Sequence, residues 1–116
     1  MALFTDSVTA GIESALDSVS LRQRVTADNI ANTNTPGFKA SRVEFEQNLA
    51  SAMAGGDPSK AQPTIVAANE PATADGNTVN VADEQSILVK SEVQFDALVA
   101  ALNYKYSTLR TAIRGQ

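Results

Sequence analysis

The run Asp28-Asn29-Ile30-Ala31-Asn32-Thr33-Asn34-Thr35-Pro36-Gly37-Phe38-Lys39 constrains the fold more than any other stretch of the chain. A helical pattern flows into it and cannot continue through it. The proline ring disfavours the α conformation at Thr35, so the helix must stop near Asn32 to Asn34. Asparagine tolerates the left-handed conformation that often closes a helix. Pro36-Gly37 fits the two central positions of a type II turn, because proline fixes the first φ and glycine permits the second to be positive. A Pro-Gly pair alone reads as an ordinary helix stop. The whole string is more specific and carries no pattern of an active site. It reads as a shaped corner at the end of a long helix.

The segments on either side fill in the expected architecture. Over about 7–32, Val8, Ile12, Ala15, Leu16 and Val19 recur at steps of three and four and draw one apolar helix face. Thr5 or Asp6 can cap its start by accepting a free N–H of the first turn. Beyond Val19 the surface turns polar, with Ser20, Arg22, Gln23, Arg24, Thr26 and Asp28 around Leu21, Val25 and Ile30. That is either a solvated face or one that meets polar groups on a neighbouring subunit.

After a turn at 33–38, a short helix is expected over about 42–54. Ser41 and Glu44 have capping-box spacing, and Phe45, Leu49, Ala52 and Met53 share a face. Residues 55–79 hold Pro58, Pro63 and Pro71 among small polar residues and read as a long exposed loop, since such composition buries too little to offset ordering. Only Ile65 and Val66 stand out there, as a short extended piece.

The last helix is expected over about 81–114. Asn80 can cap it, and Asp83, Glu84, Arg110 and Arg114 complement its dipole. Leu88, Phe95, Leu102 and Leu109 repeat every seven residues, and Val99, Tyr106 and Ile113 repeat on the companion position, broken where Glu92 takes its place. These patterns predict an all-α single domain. Two long terminal helices would pack as an antiparallel coiled-coil-like pair, with a short middle helix and a long irregular loop. Val8, Ile12, Leu16 and Val19 would face part of the second stripe. At about 1.5 Å per residue the last helix reaches roughly 50 Å, longer than a compact domain of this size needs.

Composition narrows the function. The chain has 116 residues, at most one domain, and neither cysteine nor histidine. Disulfides, thiolate metal sites and the commonest general base are thereby excluded. Only an enzyme built from Asp, Glu, Lys and Ser stays open, and neither catalysis nor a cofactor or metal is expected. The net charge is −4 and the cations are scattered, so no nucleic-acid stripe forms. No apolar run approaches the roughly 20 residues of a direct membrane span. Met1-Ala2-Leu3-Phe4-Thr5-Asp6 lacks the positive and apolar regions of a cleavable secretory signal. Without tryptophan and with few aromatics, a monomeric core would be thin.

Asn29, Ile30, Ala31 and Asn32, a two-residue spacer, then Thr35, Pro36, Gly37, Phe38 and Lys39 closely resemble the N-terminal signature of bacterial flagellar basal-body rod proteins. In that family the aromatic position is often tyrosine. The resemblance covers about Leu3–Glu46 and Asn77–Gly115, including Leu3-Phe4, Ala15-Leu16-Asp17 and the run from Phe95 to Ile113; residues 51–76 match nothing in it. The short chain, without the large insert of distal-rod and hook proteins, is most similar to proximal-rod subunits. The resemblance implies terminal helices paired in the inner layer of a tube, and helical stacking through contacts that do not close on themselves. It implies partners among copies of the chain, other rod proteins, basal-body base components and the export apparatus. It also implies torque transmission, type III export without a cleaved signal, and a place in the periplasmic rod. A small helical adaptor or export chaperone is the alternative, and the Thr35–Lys39 corner counts against it.

Overall fold

In the computed structural model, which describes residues 6–115, the chain is elongated, with extents of 66 × 26 × 15 Å. Helix α1 runs Ser7–Ala31. Asp6 caps it by accepting the Thr9 N–H at 2.7 Å. Thr5, the other candidate cap, lies outside the described residues. The last helix, α3, runs Val81–Arg114, and Asn80 Oδ1 accepts the Asp83 N–H at 3.3 Å. The two lie antiparallel. Lys105 Nζ is 3.0 Å from Asp6 Oδ2 at one end, and Asn29 Nδ2 donates to Glu84 Oε1 at 2.8 Å at the other.

The fold is not all-α. Strands β1 (Ser41–Glu44) and β2 (Thr64–Ala67) form a two-stranded antiparallel sheet, with Ser41 opposite Ala67 and Glu44 opposite Thr64. The expected helix start at 42 and the Ser41/Glu44 capping box do not form. Helix α2 begins later, at Glu46, and runs to Ala54 with no side-chain cap at Phe45. Tertiary partners decide this. On one side β1 pairs with β2. On the other, Asn29 Nδ2 donates to the Ser41 carbonyl at 2.8 Å, Asn29 Oδ1 accepts the Ser41 N–H at 3.1 Å, and Arg22 Nη2 donates to the Val43 carbonyl at 2.6 Å. Those bonds satisfy the backbone in extended form, which local capping cannot match. The expected long loop is also partly built. It holds a 3-10 turn at Pro58–Lys60, capped by Asp57, as well as β2 at the Ile65-Val66 position.

The core is small. Ala15, Val19, Val43 and Phe45 are buried together, and Leu21, Val25, Leu49, Phe95 and Leu98 pack half-buried against them. The Arg22 guanidinium lies 4.7 Å from the Phe45 ring centroid and forms a bidentate pair with Glu46 at 2.8 and 2.9 Å.

The helices do not meet along a coiled-coil seam. Such a seam places apolar knobs at two heptad positions. Here the buried residues of α3 are Glu84 and Ser91, both polar and seven apart, and those of α1 are Thr9, Gly11, Ala15, Ser18, Val19, Thr26 and Asn29, all but Val19 small or polar. Small and polar groups allow close approach but interlock little. Glu84 is 0% exposed, so its charge must be compensated. Arg42 Nη1 lies 2.5 Å from its Oε2, a charge contact rather than an aligned hydrogen bond, while Asn29 bonds the other oxygen.

Candidate assembly site

At the corner, α1 ends on Asn32 with φ of −103° and ψ of 20°, so the closure does not use the left-handed conformation that asparagine tolerates. The side chains here serve the helix end itself. Asn32 Nδ2 donates to the Asp28 carbonyl at 2.8 Å, Thr33 Oγ1 to Ile30 at 2.6 Å, and Thr35 Oγ1 to Asn32 Oδ1 at 3.0 Å. The turn then closes with the Phe38 N–H on the Thr35 carbonyl at 3.2 Å. Gly37 has φ of 75°, the value a type II turn requires and glycine supplies without strain.

A second segment, Thr73–Val79, is fastened onto this corner. Asn77 is 2% exposed, and its Nδ2 lies 2.9, 3.1 and 2.8 Å from the carbonyls of Asn32, Thr33 and Thr35. A side chain remote in sequence thus ties together three carbonyls of the turn that follows α1, two of which, those of Asn32 and Thr35, also accept the Thr35 and Phe38 N–H groups. Its Oδ1 accepts the Val79 N–H at 2.7 Å, which fixes the amide orientation. Around it, Gly37 donates to the Asp75 carbonyl at 2.8 Å, Thr78 to Phe38 at 3.0 Å, the Ala40 N–H to Thr78 Oγ1 at 2.8 Å, and Lys39 Nζ to Gly76 at 2.8 Å. Gly76 has φ of 84°, and a Cβ there would sit 3.4 Å from Gly37 Cα, so two glycine backbones pass nearly in contact. The Thr73 hydroxyl, and then the Asn77 N–H, hold the Asp75 carboxyl below its usual range.

Within the corner, Asn29 is buried, Ile30, Asn32 and Phe38 are half-buried, and Ala31, Thr35, Pro36, Gly37 and Lys39 are exposed. On the helices, Val19 is fully buried, Ile12 and Leu16 are half-buried, and Val8 is exposed. Leu88, Phe95, Val99, Leu102 and Leu109 are half-buried, whereas Tyr106 and Ile113 are exposed. Heptad spacing from Glu84 and Ser91 continues through half-buried Leu98 and Lys105. Sequence reasoning missed the site's fasteners Asn77, Glu84 and Arg42. For Asn77 a signal existed, since Asp75-Gly76-Asn77 is turn chemistry.

A second apolar side of α3 stays uncovered. Val89, Val93 and Tyr104 are 59%, 65% and 73% exposed. At about 100° per residue they project within roughly 60° of one another. No described helix is long and apolar enough to cross a membrane.

A family model described as "Flagella basal body rod protein" matches residues 13–39, which form most of α1 and the corner. The chain is similar to the flagellar basal body rod protein FlgB of Aeromonas hydrophila, 30% identical over 131 residues, covering 100% of this chain and 99% of that protein. It is 29% identical over 128 residues to FlgB of Bacillus subtilis (strain 168), with 99% and 98% covered. It is 32% identical over 108 residues to FlgB of Cereibacter sphaeroides, with 82% and 84% covered. The chain belongs to the FlgB family of flagellar basal body rod proteins and is a structural component of the basal-body rod.

Proposed function

We propose that the chain is a single-domain proximal-rod subunit that stacks helically with copies of itself and with other rod proteins, and so carries torque along the rod. The observation that supports this is the two-sided apolar character of α3. One side lies against α1, and the other carries Val89, Val93 and Tyr104 into solvent. An uncovered apolar side along the longest element marks a contact surface. The corner supplies the second element. Fastened by Asn77, it holds Pro36-Gly37 outward with Phe38 beside them, a rigid feature for a neighbour to grip. This reading places the subunit in the periplasmic rod, exported without a cleaved signal and touching base components and the export apparatus.

The direct test is deletion of the gene, followed by complementation with the full chain. Swimming and intact rods should be lost and then restored, with the chain recovered by mass spectrometry from purified basal bodies. A swimming deletion strain, or basal bodies without the chain, would overturn it.

A further inference from the structure

The two edges of the small sheet are treated differently. In an antiparallel pair, residues alternate between exchanging hydrogen bonds with the partner strand and pointing their N–H and C=O outward. The Ala68 N–H bonds the Ala40 carbonyl at 2.9 Å, so Arg42/Val66 and Glu44/Thr64 are the bonded pairs that follow. Ser41, Val43, Ile65 and Ala67 therefore point outward. On the β1 edge, Asn29 takes both backbone groups of Ser41, and Arg22 takes the Val43 carbonyl. On the β2 edge, among the described residues, nothing bonds the outward groups of Ile65 or Ala67.

That open edge also lacks the usual guards. Apart from being short, as β2 is at 4 residues, edge strands are normally protected by charges, prolines within the strand, or a covering element. Thr64-Ile65-Val66-Ala67 carries none of these, and the nearest proline, Pro63, precedes it. Ile65 lies opposite Val43, on the face whose inner part is core, yet it is 56% exposed. A strand added beside β2 would meet the free N–H and C=O groups and cover Ile65 with its own side chains.

We infer that the β2 edge receives an extended, uncharged segment of the next subunit in the rod, with an apolar residue beside Ile65. This rests on the rod reading above. Outward N–H and C=O groups spaced along a strand edge are matched group for group by another strand, which favours a strand over a small molecule. The uncharged edge selects a neutral segment. A two-fold pairing of β2 with β2 of a second copy would use up both edges and close the contact, whereas a rod grows through contacts that stay open. The purified chain is therefore expected not to dimerise through β2.

The test uses two full-length variants in the deletion strain. Ala67→Pro removes an outward N–H while leaving the bonded pairs, a place where an edge strand tolerates proline. Ile65→Lys installs an edge charge at an exposed position. Amide exchange at Arg42 and Val66 in the purified variants should match the wild type. Swimming and recovery of the chain in basal bodies should fall at least tenfold in both. Wild-type swimming by either variant, in a background where deletion abolishes it, would overturn the edge contact and leave the rod reading standing. A swimming deletion strain would remove both. A wild-type dimer dispersed by Ala67→Pro would also overturn the inference, by assigning the edge to a two-fold pair.

Discussion

Replacing Asn77 by Ala should loosen the corner more than any other single truncation of a polar side chain outside the helices. The wild-type amide has two N–H hydrogens shared among three carbonyls, and its oxygen accepts the Val79 N–H. That is about three hydrogen bonds, each worth about 1 kcal/mol net. Water recovers part of this at the exposed Thr35 and less where Asn77 itself is 2% exposed. The expected loss is about 2–3 kcal/mol, or a fall of roughly 10 °C in melting temperature for a domain of this size. Asn77→Asp is the sharper variant. It keeps the shape but sets carboxylate oxygens against three carbonyls, so it should be less stable than the alanine variant at neutral pH. Thermal melts followed by circular dichroism give the ranking, and amide exchange at Gly37 and Phe38 shows whether the loss is local. Asn77→Ala within about 2 °C of wild type, or Asn77→Asp more stable than Asn77→Ala, would refute the fastening role.

Gly37→Val should strain the turn by about 1–3 kcal/mol, because the cost lies in φ of 75° and not in crowding; no atom stands within 4 Å of an added Cβ. Phe38→Ala should leave the turn bond intact yet reduce rod formation, and normal swimming of that variant would remove the corner's claim to assembly. A Gly-Ser-Gly insertion after Pro71 should be nearly silent, since loop closure depends weakly on length. The same insertion between Gly76 and Asn77 should abolish swimming, and equal effects would show that the fastened segment is an ordinary loop. Acid should destabilise the fold through Glu46. Arg22 holds its carboxyl at about 2, from 4.5, so its contribution is full above 4.5 and is lost as pH falls from 4.5 towards 2. Melting curves across that range should be flatter for Glu46→Gln, and unchanged steepness would contradict the pairing.

The corner was legible because its signals are local. Proline fixes φ, glycine permits the opposite sign, and the type II turn follows from two adjacent residues. The helix caps were readable for the same reason, Asn80 directly and Asp6 as one of two candidates. The segment that fastens the corner was not. Its composition buries little apolar surface, but Thr73–Val79 is held by backbone and amide hydrogen bonds that no count of apolar residues registers. Strand β1 was misread as a helix start because Ser41–Glu44 is too short to show alternation, and its partners Asn29 and Arg22 lie on another element. Along α3 the buried line runs through Glu84 and Ser91. A search for apolar periodicity passes over both, although both are buried in the fold.

If this chain works through contacts with neighbouring subunits, Val93→Asp should break them without unfolding it. Val93 is 65% exposed, so the substitution should change folding stability by no more than about 0.5 kcal/mol. Against an apolar neighbour, the added carboxylate would be costly. The measurement is the amount of chain recovered by mass spectrometry from basal bodies of a strain carrying only the variant. The expected result is a folded, stable protein with at least a tenfold loss from basal bodies and no swimming. Wild-type recovery with normal swimming would contradict it.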